Sequence, residues 1–116
     1  MAGHRDLIVW RRSMQLVAEC YRVSAGFPRN EQFGLTVQLR RAALSVAANI
    51  AEGHGRPHRG AFLNSLSIAR GELKEVECFL DVSQLLSFAT EENLKEARRL
   101  ADEVSRMLTV LRRRLL

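Results

Sequence analysis

The sequence predicts an all-α protein, an antiparallel up-and-down four-helix bundle, on three observations. Apolar residues recur at spacings of three and four through four long segments, the repeat that gathers them on one side of a helix. The first two breaks between segments are short and hold both prolines, Pro28 and Pro57, beside glycines. Nothing in the chain alternates apolar and polar residues as a strand would, and 116 residues leave room for one domain, 1–116. A chain of that size buries roughly two-thirds of its unfolded surface, enough for a core without staples.

The first helix is expected from Asp6 to about Ala25, with Leu7, Trp10, Met14, Val17 and Tyr21 as its apolar stripe and Asp6 as its cap. Arg11 and Arg12 splay to either side of that stripe as a solvated flank. Gly26, Phe27 and Pro28 end it, because proline disfavours helical geometry in the residue before it.

The second helix, Glu31 to Gly53, is capped by Asn30, and Glu31 suits its positive end. Leu39, Ala43, Val46 and Ile50 form one apolar row, and Val37, Leu44, Ala48 and Ala51 form a second beside it. Two rows imply a central helix with partners on nearly every side, more than one small bundle usually supplies, so that burial between subunits is expected. Gln38, Arg41, Ser45, Asn49 and Glu52 fill the narrow polar stripe that remains.

The third helix, about Gly60 to Phe88, carries Phe62, Leu66, Ala69, Leu73, Val76 and Leu80 in four-three alternation, a seam for shallow-angle packing. Gly71 interrupts it and implies close approach of another backbone. Glu72, Glu75, Glu77 and Asp81 make its middle acidic, ready to meet arginines of a neighbour. Thr90 caps the fourth helix, whose Leu94, Ala97, Ala101, Val104, Leu108, Leu111 and Leu115 continue the alternation. Arg112, Arg113 and Arg114 fall in its last turns, where cations suit the negative helix end and where a phosphate-binding tail is the sharper reading.

The formal charge of +5 is uneven: residues 1–60 hold nine arginines against four acids, while residues 61–116 hold nine basic and nine acidic groups. A pI near 10.2 favours nucleic acid or an acidic protein as partner. Cys20 and Cys78 read as buried free thiols of a reducing compartment. With no secretory leader and no apolar run long enough to span a bilayer, the expected location is cytoplasmic, with no membrane partner.

Catalytic chemistry is scarce. No phosphate loop, Glu-x-x-His pair or zinc knuckle occurs, so no cofactor or metal is expected and the chain reads as non-enzymatic. His54 and His58 stand four apart, but Gly55 and Pro57 break the helix that would aim both at one ion. The stripe Gln38, Arg41, Ser45, Asn49 and Glu52 has two readings, a ligand contact or a hydrogen-bonded network within the bundle or between subunits. Its narrowness favours the network, because buried polar groups are costly unless paired.

The string Gln38 to Arg56, QLRRAALSVAANIAEGHGR, resembles the signature of the bacterial four-helix bundle family of proteins encoded in intervening sequences of 23S rRNA genes. The likeness extends through Leu7 to Trp10, Phe27-Pro28 with Glu31, Phe33-Gly34-Leu35, Phe62, and Ile68-Ala69-Arg70-Gly71 with Glu75 and Glu77, and Asn49 to Gly53 is its most specific piece. The resemblance implies a ring-like homo-oligomer, a pentamer. It extends to the accessory proteins of diversity-generating retroelements, basic pentamers that bind a reverse transcriptase and nucleic acid. Two residues depart from the pattern: Ala47 replaces a common proline, which implies a straighter second helix, and Glu72 replaces a small hydroxyl residue beside Gly71.

Together these readings predict a homo-oligomeric bundle that binds RNA or a nucleoprotein partner through a basic surface. Arg11, Arg12, Arg40, Arg41, Arg56 and Arg59 are the expected phosphate contacts, with Arg40 and Arg41 alternatively internal partners of Glu52 or of the third helix's acids. The alternative is a structural or adaptor oligomer that recognises a protein through an apolar or acidic surface, without nucleic acid.

Overall fold

The structure, a computed structural model, describes residues 3–116. It consists of α1 (Ile8–Ser24), α2 (Leu35–His54), α3 (Arg59–Leu85) and α4 (Glu91–Leu115), with single 3-10 turns at His4–Asp6 and Arg29–Glu31. Short loops force each helix to run against the one before it. α2 packs on α1 and α3, α4 packs on α3 and α1, and the diagonal pairs stay apart. The result is an up-and-down four-helix bundle of 43 × 24 × 21 Å.

The core is built from the rows that the spacing marks out. Leu39, Ala43, Val46 and Ile50 of α2 are fully buried, as are Ala69, Leu73, Val76 and Leu80 of α3 and Leu94, Ala97 and Val104 of α4. Each large aliphatic side chain removed from water in this way contributes about 1.5–3 kcal/mol. α2 and α3 make the most extensive contact of any helix pair, and both bury small residues, Ala42, Ala43 and Ala47 on α2 and Ser65 and Ala69 on α3. Gly53 belongs to this contact. A Cβ there would lie 2.4 Å from the Ser65 Cβ and 3.0 Å from a Phe62 ring carbon.

α1 is phased differently from the expectation. Its buried row is Val9, Ser13, Leu16, Cys20 and Val23, whereas Met14 and Tyr21 are exposed and Leu7, Trp10 and Val17 lie half-buried at the edge. Small side chains let α1 sit close to its neighbours, and the one hydroxyl in the row is satisfied locally: Ser13 Oγ donates to the Trp10 carbonyl at 2.6 Å. The larger Trp10, Met14 and Tyr21 flank this row in more exposed positions.

Helix starts also differ. Asp6 does not cap α1; it lies in the 3-10 turn, 3.6 Å from Arg11, and Leu7 takes the N-cap position without a side-chain bond. Asn30 does not cap α2, which begins four residues beyond Glu31. Glu31 reaches forward instead, its Oε1 accepting the Leu35 N–H at 3.0 Å. Gly34 leaves space for this carboxylate, since a Cβ at Gly34 would stand 2.8 Å from it. Thr90 does cap α4, accepting the Asn93 N–H at 3.1 Å.

α3 ends three residues before Phe88, in a left-handed cap. Ser87 has φ 61°, the Phe88 N–H donates to the Ser83 carbonyl at 2.8 Å, and the Ser87 N–H donates to the Gln84 carbonyl at 3.0 Å. This is a Schellman closure with serine in the position that glycine fills most easily. Phe88 then meets Phe27, ring centroids 5.9 Å apart, and ties the two loops at this end together.

Two expectations about α3 fail within the subunit. No atom lies within 4 Å of a Cβ built on Gly71, so no backbone approaches it. Cys78 is exposed, one helical step off the Val76–Leu80 seam, and only Cys20 is buried. Burial, with help from the neighbouring Glu19 charge, pushes the Cys20 thiol up to about 12.

Candidate nucleic-acid interface

Antiparallel topology brings together charges that are far apart in the chain. The turn before α1, the α2–α3 connection and the end of α4 share one end of the bundle. Arg5, Arg56, Arg59, Arg112, Arg113 and Arg114 therefore collect there, and Asp6 and Glu52 are the acids beside them. The opposite end, where α1 meets α2 and α3 meets α4, carries Arg22 and Arg29 against Glu31, Glu91 and Glu92. The bundle is thus polarised along its length, basic at one end and mildly acidic at the other.

The six arginines singled out in the sequence do not form one surface. Arg56 and Arg59 belong to the basic end; Arg56 reaches back to Glu52 at 2.5 Å, an exposed pair worth little, and Arg59 opens α3 exposed. Arg11 lies in the first turn of α1, where it donates to the Arg5 carbonyl at 2.7 Å. Arg12 bridges to α4 through Glu103 at 2.7 Å. Arg99 holds the same carboxylate from the other side at 3.0 Å. These two guanidiniums, Arg12 foremost, keep the Glu103 carboxyl below the usual carboxylate range.

Arg40 is an internal side chain, though not with the partners expected. It donates to Ser24 Oγ at 2.8 Å and lies 4.5 Å over the Tyr21 ring, clamping the start of α2 to the end of α1. Arg41 is exposed.

The α2 stripe is not a network inside the subunit. Asn49 Nδ2 donates to the Ser45 carbonyl at 2.9 Å and to Ser45 Oγ at 3.1 Å, while Gln38, Arg41 and Glu52 stand exposed. Beside it, Leu44 is 47% exposed and Ala48 is open, with Val37 and Ala51 half-buried. α2 is therefore not enclosed by its own chain: α1 and α3 cover one side, and the second apolar row faces out.

The acids of α3 divide in the same way. Asp81 pairs with Arg98 of α4 at 2.7 Å and Glu77 with Lys74 at 3.2 Å. Glu72 and Glu75 find each other instead; partial burial and the Glu75 charge raise the Glu72 carboxyl. His54 stacks edge-on against Phe62 at 5.7 Å, and His58 stands at the exposed start of α3. Among the described residues no group of three metal-ligating side chains comes together, and no helix is long and apolar enough to cross a membrane.

What composition could not rank was the Arg112–Arg114 run. Its adjacency to Arg56 and Arg59 depends on which helix ends meet, and four helices of alternating direction supply that information.

The model of the 23S rRNA-intervening sequence protein family matches residues 5–110. The solved structure of a protein of unknown function from the S23 ribosomal protein family of Bacteroides thetaiotaomicron is similar. It is 25% identical, with a TM-score of 0.81 over 90% of this chain and 97% of that one. No curated protein matches.

Proposed function

Since the chain belongs to the 23S rRNA-intervening sequence protein family, we propose that it is a non-enzymatic, self-assembling bundle that binds RNA or a nucleoprotein partner through its basic end. One observation carries the reading: Arg5, Arg56, Arg59, Arg112, Arg113 and Arg114 share one end of the molecule with only two acids beside them. Such a cluster attracts phosphate irrespective of sequence, and repetition in an oligomer multiplies the effect by avidity. Arg11 extends this end along α1, while Arg12, Arg40 and Arg41 contribute field more than contact.

Self-assembly is supported by the outward row Val37, Leu44 and Ala48, which a second copy would remove from water. A pentameric ring agrees with it, and the Gln38, Arg41, Ser45, Asn49 and Glu52 stripe would then be shared between subunits.

The test is RNA affinity as a function of salt. Arg112→Ala/Arg113→Ala/Arg114→Ala should weaken binding uniformly across sequences and flatten the log–log salt slope by about 2–3, roughly one unit per lost phosphate contact. No binding at low salt, or a slope near zero in the wild type, removes the reading. A single protein partner retained after nuclease treatment would instead establish the adaptor role.

A further inference from the structure

Arg114 also borders a feature that RNA binding does not use. Between the start of α1 and the last turns of α4 lies a groove of about 470 Å³, a volume within the range of small-molecule sites. Leu7, Ile8 and Val9 form one wall and Met107, Val110 and Leu111 the other. Ile8 is 58% exposed and Val110 47%, so the groove holds apolar surface that the fold leaves wet.

Three charged side chains edge it: Asp6, Arg106 and Arg114. Asp6 lies 3.6 Å from Arg11, and Arg106 donates to Asp102. Arg114 has no ion-pair partner among the described residues. With the paired charges offset, what remains is an apolar trough with one free guanidinium at its rim.

We propose that this groove binds a free amphiphile with a hydrocarbon chain and a single carboxylate head, of the medium-chain fatty acid class. The chain lies between Ile8 and Val110, and the carboxylate accepts the paired N–H groups of Arg114, whose fork matches two carboxylate oxygens. A protein is the poorer occupant, because a stable interface needs about 800 Å² from each side and this trough is lined by nine residues. A membrane surface is poorer too, since these side chains line a concavity instead of standing proud of it.

Decanoate titrated into the full chain without RNA, followed by calorimetry and Trp10 fluorescence, tests this. Saturable binding at one site per subunit is expected, with decyltrimethylammonium at least tenfold weaker. Arg114→Glu should weaken decanoate by at least tenfold, since it removes both charge-assisted hydrogen bonds and sets a like charge against the carboxylate. Val110→Trp, which fills the trough, should abolish binding while helical circular dichroism is unchanged; Ile8→Trp closes it from the other wall should that variant not fold.

The proposal is overturned by absent saturation, by equal binding of the cationic amphiphile, or by undiminished binding in both filled variants. It is equally overturned if decanoate fails to bind while Val110→Trp lowers the mass by light scattering, which would assign the groove to a second copy. Binding to anionic vesicles without binding to decanoate would assign it to a membrane and overturn it as well. None of these readouts involves RNA, so failure here leaves the basic-end reading standing.

Discussion

Gly53 shows how much a single residue can decide. In the sequence it reads as a helix terminator, yet it lies within the last turn of α2 and its missing side chain lets Ser65 and Phe62 close on the helix. Gly53→Ala should therefore destabilise by roughly 1–2 kcal/mol, the overpacking cost exceeding the gain in helix propensity, and thermal melts will read it. Glu103 makes a pH-dependent contribution. Its carboxyl is depressed by Arg12 and Arg99, so its stabilisation is present above the unfolded glutamate value of about 4.3 and is lost as pH falls through the lower folded value. Wild type should melt higher than Glu103→Gln at pH 7, and the two melting temperatures should converge in acid. Neither residue was legible beforehand, because Gly53 required the α2–α3 crossing and Glu103 required the α1–α4 pairing.

At the scale of the element, the α3 seam and the first α2 row were legible because each is the dominant apolar alternation in its segment. α1 was not. It carries two overlapping rows, and the one with the larger side chains, Trp10, Met14 and Tyr21, is the one pushed outward. Helix starts were legible where a short side chain caps locally, as at Thr90, and not where Glu31 reaches across a turn to Leu35. Two substitutions in α3 and its cap follow. Ser87→Gly relieves a left-handed residue and should stabilise by up to about 1 kcal/mol, visible as a higher melting temperature. Gly71→Ala meets open space in the subunit and should stabilise an isolated bundle by about 1 kcal/mol. If it instead lowers the melting temperature and the mass in solution, α3 packs against another copy at that point.

For the whole molecule, the bundle class was legible from periodicity and loop length alone, while the charge distribution was not. Arg56 and Arg59 stand nearly half the chain away from Arg112, and only alternating helix direction places them at one end. The outward row on α2 was legible as apolar and as more than one small bundle can cover, and α1 and α3 do leave Leu44 and Ala48 open. Light scattering on the wild type should give a species several times 13.1 kDa. Leu44→Asp, which places a charge in that row, should return it toward the subunit mass with helical content retained. A wild type that remains at subunit mass at high micromolar concentration would remove self-association from the proposed function.

The bundle is about twice as long as it is wide, and its positive charge is gathered at one tip. In the field of a polyanion such a rod experiences a torque as well as an attraction, and it comes to rest upright. Its footprint is then the small cross-section of 24 × 21 Å, not the long flank. In the proposed RNA complex the flanks, Leu44 and Ala48 among them, would stay clear of the strand and free for contact with a neighbouring copy.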